Sequence, residues 1–212
     1  MMNPGYLTFI LLSMCAVLMV TGWKSALAGE TARRHLALLA ILWMCGLPLD
    51  VRIGSWLEMN GAAAALSGAS LAALARIRRE RSNQEAACVL AAALAIGCMH
   101  AAIVPLLRAD PDLVRVPSLW VSSCAAAVGA GLFTRKASGQ FAAVTIGLLA
   151  GEAALQMLGD SRPVRLGDMA FHDLWWVAIA GARSLALASA CAQGAWRGLL
   201  RLVRSGSNRG AR

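Results

Sequence analysis

From Ala86 to Leu107 the chain runs 22 residues without an Asp, Glu, Lys or Arg. Within it, Cys88-Val-Leu-Ala-Ala-Ala-Leu-Ala-Ile96 is apolar on every face. That run constrains the fold more than any other feature. A bilayer core about 30 Å thick is crossed by about 20 helical residues, and in hydrocarbon a helix pairs its backbone groups within its own segment. A barrel strand would instead alternate apolar and polar residues over about ten positions. The run therefore predicts a membrane-spanning helix. The whole chain agrees: 58% of its 212 residues are hydrophobic and 15% charged, against about 45–50% and about 25% in soluble domains. A soluble domain of this size has too little interior for so much apolar surface.

Six further apolar segments flank that one, so the predicted spans are Tyr6–Trp23, Leu36–Leu49, Ile53–Ile77, Ala86–Leu107, Ser118–Phe133, Phe141–Leu158 and Leu174–Trp196. The fold class predicted is an all-α transmembrane bundle of seven spans, residues 1–196, followed by a basic tail, 197–212. A six-span arrangement, made by demoting the second or third segment, is the competitor.

The basic residues decide between them. With the N-terminus outside, the cytoplasmic connections and tail hold Lys24, Arg33, Arg34, Arg76, Arg78, Arg79, Arg81, Arg135, Lys136, Arg197, Arg201, Arg204, Arg209 and Arg212. The outer connections hold Arg52, Arg108, Arg115, Arg162 and Arg165. A 14-to-5 split follows the excess of Lys and Arg in cytoplasmic loops. Removing one span would invert every later connection. The net charge of +9 is thereby a topology signal, and no nucleic-acid-binding module accompanies it. The stretch before Tyr6 lacks the basic residues of a cleavable signal peptide, so the first segment reads as an anchor held by Lys24, Arg33 and Arg34. Trp23, Trp56, Trp120, Trp175, Trp176 and Trp196 fall near span ends, where indole rings favour the interface.

Ionisable residues inside spans are costly and mark function or pairing. Four fall there: Glu58, His100, Glu152 and Arg183. Counted at 1.5 Å per residue, all lie in the outer half, roughly 8–14 Å below the outer edge. They form a candidate intramembrane polar cluster in which Glu152 and Arg183, on consecutive antiparallel spans, have an ion pair available. That cluster either fixes helix packing or holds a proton or small solute. Glu58 reaches the interface after a small shift of the third span. Gly147 and Gly151 form a GxxxG pattern beside Glu152, a spacing that lets helix backbones approach closely. It reads first as packing within the bundle.

Other chemistry finds little support. The six cysteines, at 15, 45, 88, 98, 124 and 191, sit in apolar runs without a CxxC pair and read as small buried residues. Asp168 and His172 are four apart, too few ligands for a metal site, and read as the start of an interfacial helix favoured by its dipole. GxSxG, HExxH and GxxxxGK[ST] are missing. No metal, no cofactor and no enzymatic activity is expected. Expected partners are the bilayer, anionic lipid headgroups around the basic tail, and a membrane-protein partner or a second copy of the chain. A small-solute or proton-coupled transporter using the Glu/Arg/His cluster is the alternative.

The opening Asn3-Pro-Gly-Tyr-Leu-Thr-Phe9, the following Thr21-Gly-Trp-Lys24, and the Gly167-Asp168 and Phe171-His-Asp-Leu-Trp175 before the last span resemble the YphA-like group of small bacterial membrane proteins. The resemblance covers most of the chain. It implies a multi-pass protein of the bacterial plasma membrane and supplies no activity or site residue.

Overall fold

The computed structural model describes residues 3–29, 31–110, 116–159 and 163–209, with side chains to residue 197. Arg115, Arg162 and Arg212 lie outside the described residues, and Arg201, Arg204 and Arg209 are described in backbone only. The described chain is α1 (Tyr6–Val20), α2 (Lys24–Ala28), α3 (Arg33–Gly46), β1 (Asp50–Ile53), β2 (Leu57–Asn60), α4 (Gly61–Glu80), α5 (Asn83–Ala109), α6 (Ser118–Phe133), α7 (Ala137–Leu158), β3 (Val164–Leu166) and α8 (Met169–Arg209). Helices α5, α7 and the 169–197 part of α8 are long and apolar enough to cross a membrane, and α1 and α6 are apolar but shorter.

The long helices run back and forth between two ends. At one end lie the strands, the start of α1 and the start of α8. At the other lie α2, the α4–α5 turn and the α6–α7 turn. The turns are specified locally. Ser82 caps α5 by accepting the N–H of Glu85 at 3.1 Å. Asn60 caps α4 by accepting from Ala62 N, while its amide donates to the Leu47 carbonyl and so ties the end of α3 to the start of α4. Such caps satisfy backbone donors that a helix leaves unpaired in its first turn.

The expectation of an all-helical chain needs correction. A three-stranded sheet sits at one end, with β1 antiparallel and β3 parallel to the central β2. It replaces the start of the predicted third span: residues 53–60 are strand and turn, and the helix begins at Gly61. The physical reason is visible in the residues. Val51, Ile53, Leu57 and Met59 alternate with Arg52, Glu58 and Asn60 around a Gly54-Ser55 turn, a period of two that suits a hairpin and not a helix. The other boundaries move by a few residues. Helix α3 spans 33–46 where 36–49 was expected, α7 starts at 137, and α8 starts at 169 and runs on through the segment expected to be a tail.

The core is built mainly of small side chains. Ala92, Ala126, Ala130, Ala142, Ala143, Ala178 and Ala182 are buried, with Leu66, Ile96 and Leu148 among the largest fully buried residues. Small residues bring helix axes together, and without a hydrophobic driving force between helices in lipid this close packing is what holds them. A ring of aromatics closes the sheet end: Trp43 meets His172 and Trp176 edge-on, and Trp175 meets Phe141 and Trp176 likewise. Trp175 is therefore core and not an interfacial ring as expected: it is 5% exposed and donates to Thr145 Oγ1 at 2.9 Å. Cysteines depart from expectation too. Cys45, Cys88, Cys98, Cys124 and Cys191 are exposed on outward helix faces, and all six are free thiols.

Candidate functional site

Helices α5 and α7 run side by side in the same direction, and their contact is made by glycine. A Cβ on Gly147 would lie 2.7 Å from the Ala93 carbonyl oxygen and 2.8 Å from Ile96 Cβ. One on Gly151 would lie 2.8 Å from the Gly97 oxygen and 3.1 Å from His100 Cδ2. Gly97 faces them from α5, with the Gly147 oxygen 3.0 Å from its own would-be Cβ. These positions admit no side chain, and the close approach carries the ring of His100 to the next residue of α7, Glu152.

There a polar chain begins. His100 Nε2 stands 3.3 Å from Glu152 Oε2. Beside a carboxylate this nitrogen acts as the donor; Nδ1 is buried and has no partner among the described residues. The other carboxylate oxygen of Glu152 accepts from the Gln156 amide at 2.9 Å, one turn further along α7. Gln156 also grips β3. Its amide nitrogen donates to the Arg165 carbonyl, and its oxygen accepts the Arg165 N–H at 2.6 Å. It thus takes the place of a fourth strand on the free edge of the sheet. Arg165 sits opposite Glu58 in the parallel pairing, and its Nε lies 3.2 Å from Glu58 Oε2. Arg52 Nε donates to the other oxygen of Glu58 at 3.2 Å. The chain His100–Glu152–Gln156–Arg165–Glu58–Arg52 therefore links the middle of the helix bundle to the solvent edge of the sheet.

Two predicted members are placed differently from the cluster expected. Glu58 belongs to β2, outside the helices, clamped between two arginines; its side chain is 12% exposed while both arginine side chains are more than 70% exposed. Arg183 is far from Glu152. Its guanidinium donates to Gln140 Oε1 at 3.0 Å, to the Ala26 carbonyl and to the Arg135 carbonyl at 3.5 Å. Gln140 precedes Glu152 by 12 residues on α7, a separation of about 18 Å. The depth expected for Arg183 was wrong because α8 starts five residues before the predicted span, which carries position 183 toward the other end. Arg183 serves there as a clamp that joins the orphan Ala26 carbonyl near the end of α2 to the Arg135 carbonyl of the α6–α7 turn. Sequence reasoning missed Gln156 and Gln140, although a glutamine inside an apolar run is itself a signal for a hydrogen-bonded role.

At the start of α8, Asp168 accepts the N–H of Phe171 at 2.7 Å as an N-cap. Asp173, 4% exposed, accepts the N–H groups of Gly5 and Thr8, each at 2.7 Å. A carboxylate on α8 thus caps α1 from across the bundle. Among the described residues no three His, Cys, Asp or Glu side chains come together as a metal set.

Apolar helices packed by small residues, with polar side chains such as Glu152 and Arg183 engaged by partners inside the bundle, define a helical integral membrane protein. The family model for YphA-like integral membrane proteins matches residues 5–198, nearly the whole chain. The chain belongs to that family. No curated protein and no solved structure matches it.

Proposed function

We propose that this is a multi-pass protein of the bacterial plasma membrane that acts by interaction or assembly, without catalysing a reaction. In this reading α1 and α3–α8 make seven passes, with the sheet end outside and the α2 end in the cytoplasm. The distribution of Arg and Lys supports that orientation. One observation carries the functional reading: the carboxylate of Glu152 and the guanidinium of Arg183, inside the bundle, are each engaged by hydrogen-bond partners. Glu152 is held by His100 and Gln156, and Arg183 by Gln140 and backbone carbonyls. Groups so paired fix helix positions. Outward faces such as Leu90, Leu94, Val128 and Leu132 remain exposed for lipid, a membrane-protein partner or a second copy.

A specific observation favours a second reading, a proton-coupled or small-solute carrier. Among the described residues His100 Nδ1 has no partner, and the Glu152 side chain is 29% exposed, so a water file reaching the pair would have somewhere to end. Cysteine accessibility in a cysteine-free background separates the two. Ser82→Cys is expected to react only from the cytoplasm and Ser55→Cys only from outside; reaction of both from one side refutes the seven-pass arrangement. Glu152→Cys is expected to stay silent toward a water-soluble reagent. Its labelling from either side would overturn the assembly reading in favour of the carrier.

A further inference from the structure

At the α2 end the α4–α5 and α6–α7 turns enclose an open cleft of about 450 Å³. Its floor is apolar, with Val89 of α5 and Phe133 of α6, and its rim carries Arg81, Arg135 and Lys136 against the single carboxylate of Glu85. Glu85 is already engaged: Lys136 Nζ donates to it at 2.8 Å and Arg81 lies 3.6 Å away. The guanidinium of Arg135 has no hydrogen-bond or ion-pair partner among the described residues; only its backbone oxygen is used, by Arg183. Three cations against one anion leave the cleft positive. The first turns of α5 and α7 point their N-termini toward the same end, and α7 has no side-chain cap, which adds to the positive potential.

We infer that this cleft holds the phosphate headgroup of an anionic phospholipid, with Arg135 as the principal contact and the glycerol and upper acyl chain against Val89 and Phe133. Placement favours a lipid over a free anion. Helix α5 is 27 residues long, about 40 Å, against a hydrocarbon core of about 30 Å. The excess of about 10 Å, shared between the two ends, leaves about three residues of α5 beyond the hydrocarbon at this end. The α4–α5 and α6–α7 turns, with Arg81, Glu85, Arg135 and Lys136, therefore fall at headgroup depth, and Val89 lies just below it. The wall is polar toward the end of the bundle and apolar toward its middle, the order in which a phospholipid presents its own groups. Basic pockets between helices on the cytoplasmic side suit such headgroups. The proposal rests on the orientation given above and names a site distinct from the basic tail.

The test uses the full chain in a neutral detergent, with thermal unfolding followed as phosphatidylglycerol or phosphatidylcholine is added. Phosphatidylglycerol is expected to raise the unfolding temperature saturably and phosphatidylcholine to do little. At about 1 kcal/mol per basic residue near an anionic surface, Arg135→Gln is expected to weaken the apparent affinity about fivefold, and Arg135→Gln with Lys136→Gln about 25-fold. Arg135→Lys keeps the charge and is expected to retain most of the effect, which separates a lost ligand contact from a folding defect. Arg201→Gln with Arg204→Gln, in the tail, is expected to leave it unchanged. An unaltered response in the double cleft variant, or its loss in the tail variant alone, overturns the proposal. Equal stabilisation by soluble glycerol phosphate overturns the lipid in favour of a free phosphate ligand. Labelling of Ser82→Cys from the outer side would sink the orientation and this proposal together. Correct labelling with no dependence on Arg135 and Lys136 would sink this proposal alone.

Discussion

Replacing Gly147 by alanine tests the claim that the α5–α7 contact is set by backbone approach. The added methyl group would sit 2.7 Å from the Ala93 oxygen and 2.8 Å from Ile96 Cβ, where ordinary contacts begin at 3.4 Å. Neither obstacle is the far end of a flexible side chain, so the helices must part by about 0.7 Å. Two effects oppose each other. Alanine in a helix interior gains up to about 1 kcal/mol over glycine, and overpacking a tight contact costs about 1–3 kcal/mol. The net expectation is destabilisation by about 1–2 kcal/mol. Gly68 supplies the control, because a Cβ there meets nothing within 4 Å: Gly68→Ala is expected to be neutral or stabilising. The opening also stretches His100–Glu152 from 3.3 Å toward about 4 Å, past hydrogen-bond reach, so the polar chain loosens with the packing. Reversible unfolding of the purified protein by added SDS in mixed micelles reads both variants. Equal stability of Gly147→Ala and Gly68→Ala would refute the reasoning, since the two differ only in what the methyl group meets.

Asp173→Asn keeps the shape of the cap on α1 but removes its charge and turns one of its two accepting oxygens into an NH2 donor, and hydrogen bonds to a charged acceptor are worth about 1.5–3 kcal/mol. The expected result is a lower unfolding temperature and earlier proteolytic cleavage near the start of α1, and an unchanged cleavage pattern would count against the cross-bundle cap. For Glu58, both arginine partners are mostly exposed, so a double-mutant cycle between Glu58→Gln and Arg165→Gln is expected to show a coupling of at most about 1 kcal/mol, reduced by added salt. A coupling of several kcal/mol that salt leaves untouched would mean that the pair is far better shielded than its exposure indicates.

Much of the helical architecture was legible in the residues, because it depends on local composition. Apolar runs bounded by Arg and Lys marked the stretches that became α5, α6 and α7, with α6 matching its predicted bounds and the other two within four residues of theirs. The small sheet was equally local, in the alternation around Gly54-Ser55, and was overlooked because an apolar stretch beside an Ala-rich helix reads as its extension. His100 and Glu152 stood out as ionisable groups in apolar runs, and the glycine spacing beside them signalled a close neighbour. Which neighbour it was could not be read, since close approach requires small residues on both helices and the Ala93–Gly97 pair on α5 is one of many such small-residue spacings in an Ala-rich chain.

What the sequence by itself determined is thus a helical membrane protein, with its turns and its basic end, since hydrophobic run length and charge are properties of segments. Only the tertiary structure decided who meets whom. It set Glu152 on His100 and Gln156, sent Arg183 to Gln140 and the Ala26 carbonyl of α2, and placed Asp173 under α1. An intramembrane polar group binds whatever donor or acceptor the packing brings within about 3 Å, and on a helix a five-residue change in the starting point moves a side chain by about 7–8 Å along the axis. That is enough to exchange one partner for another while leaving the hydrophobic pattern untouched.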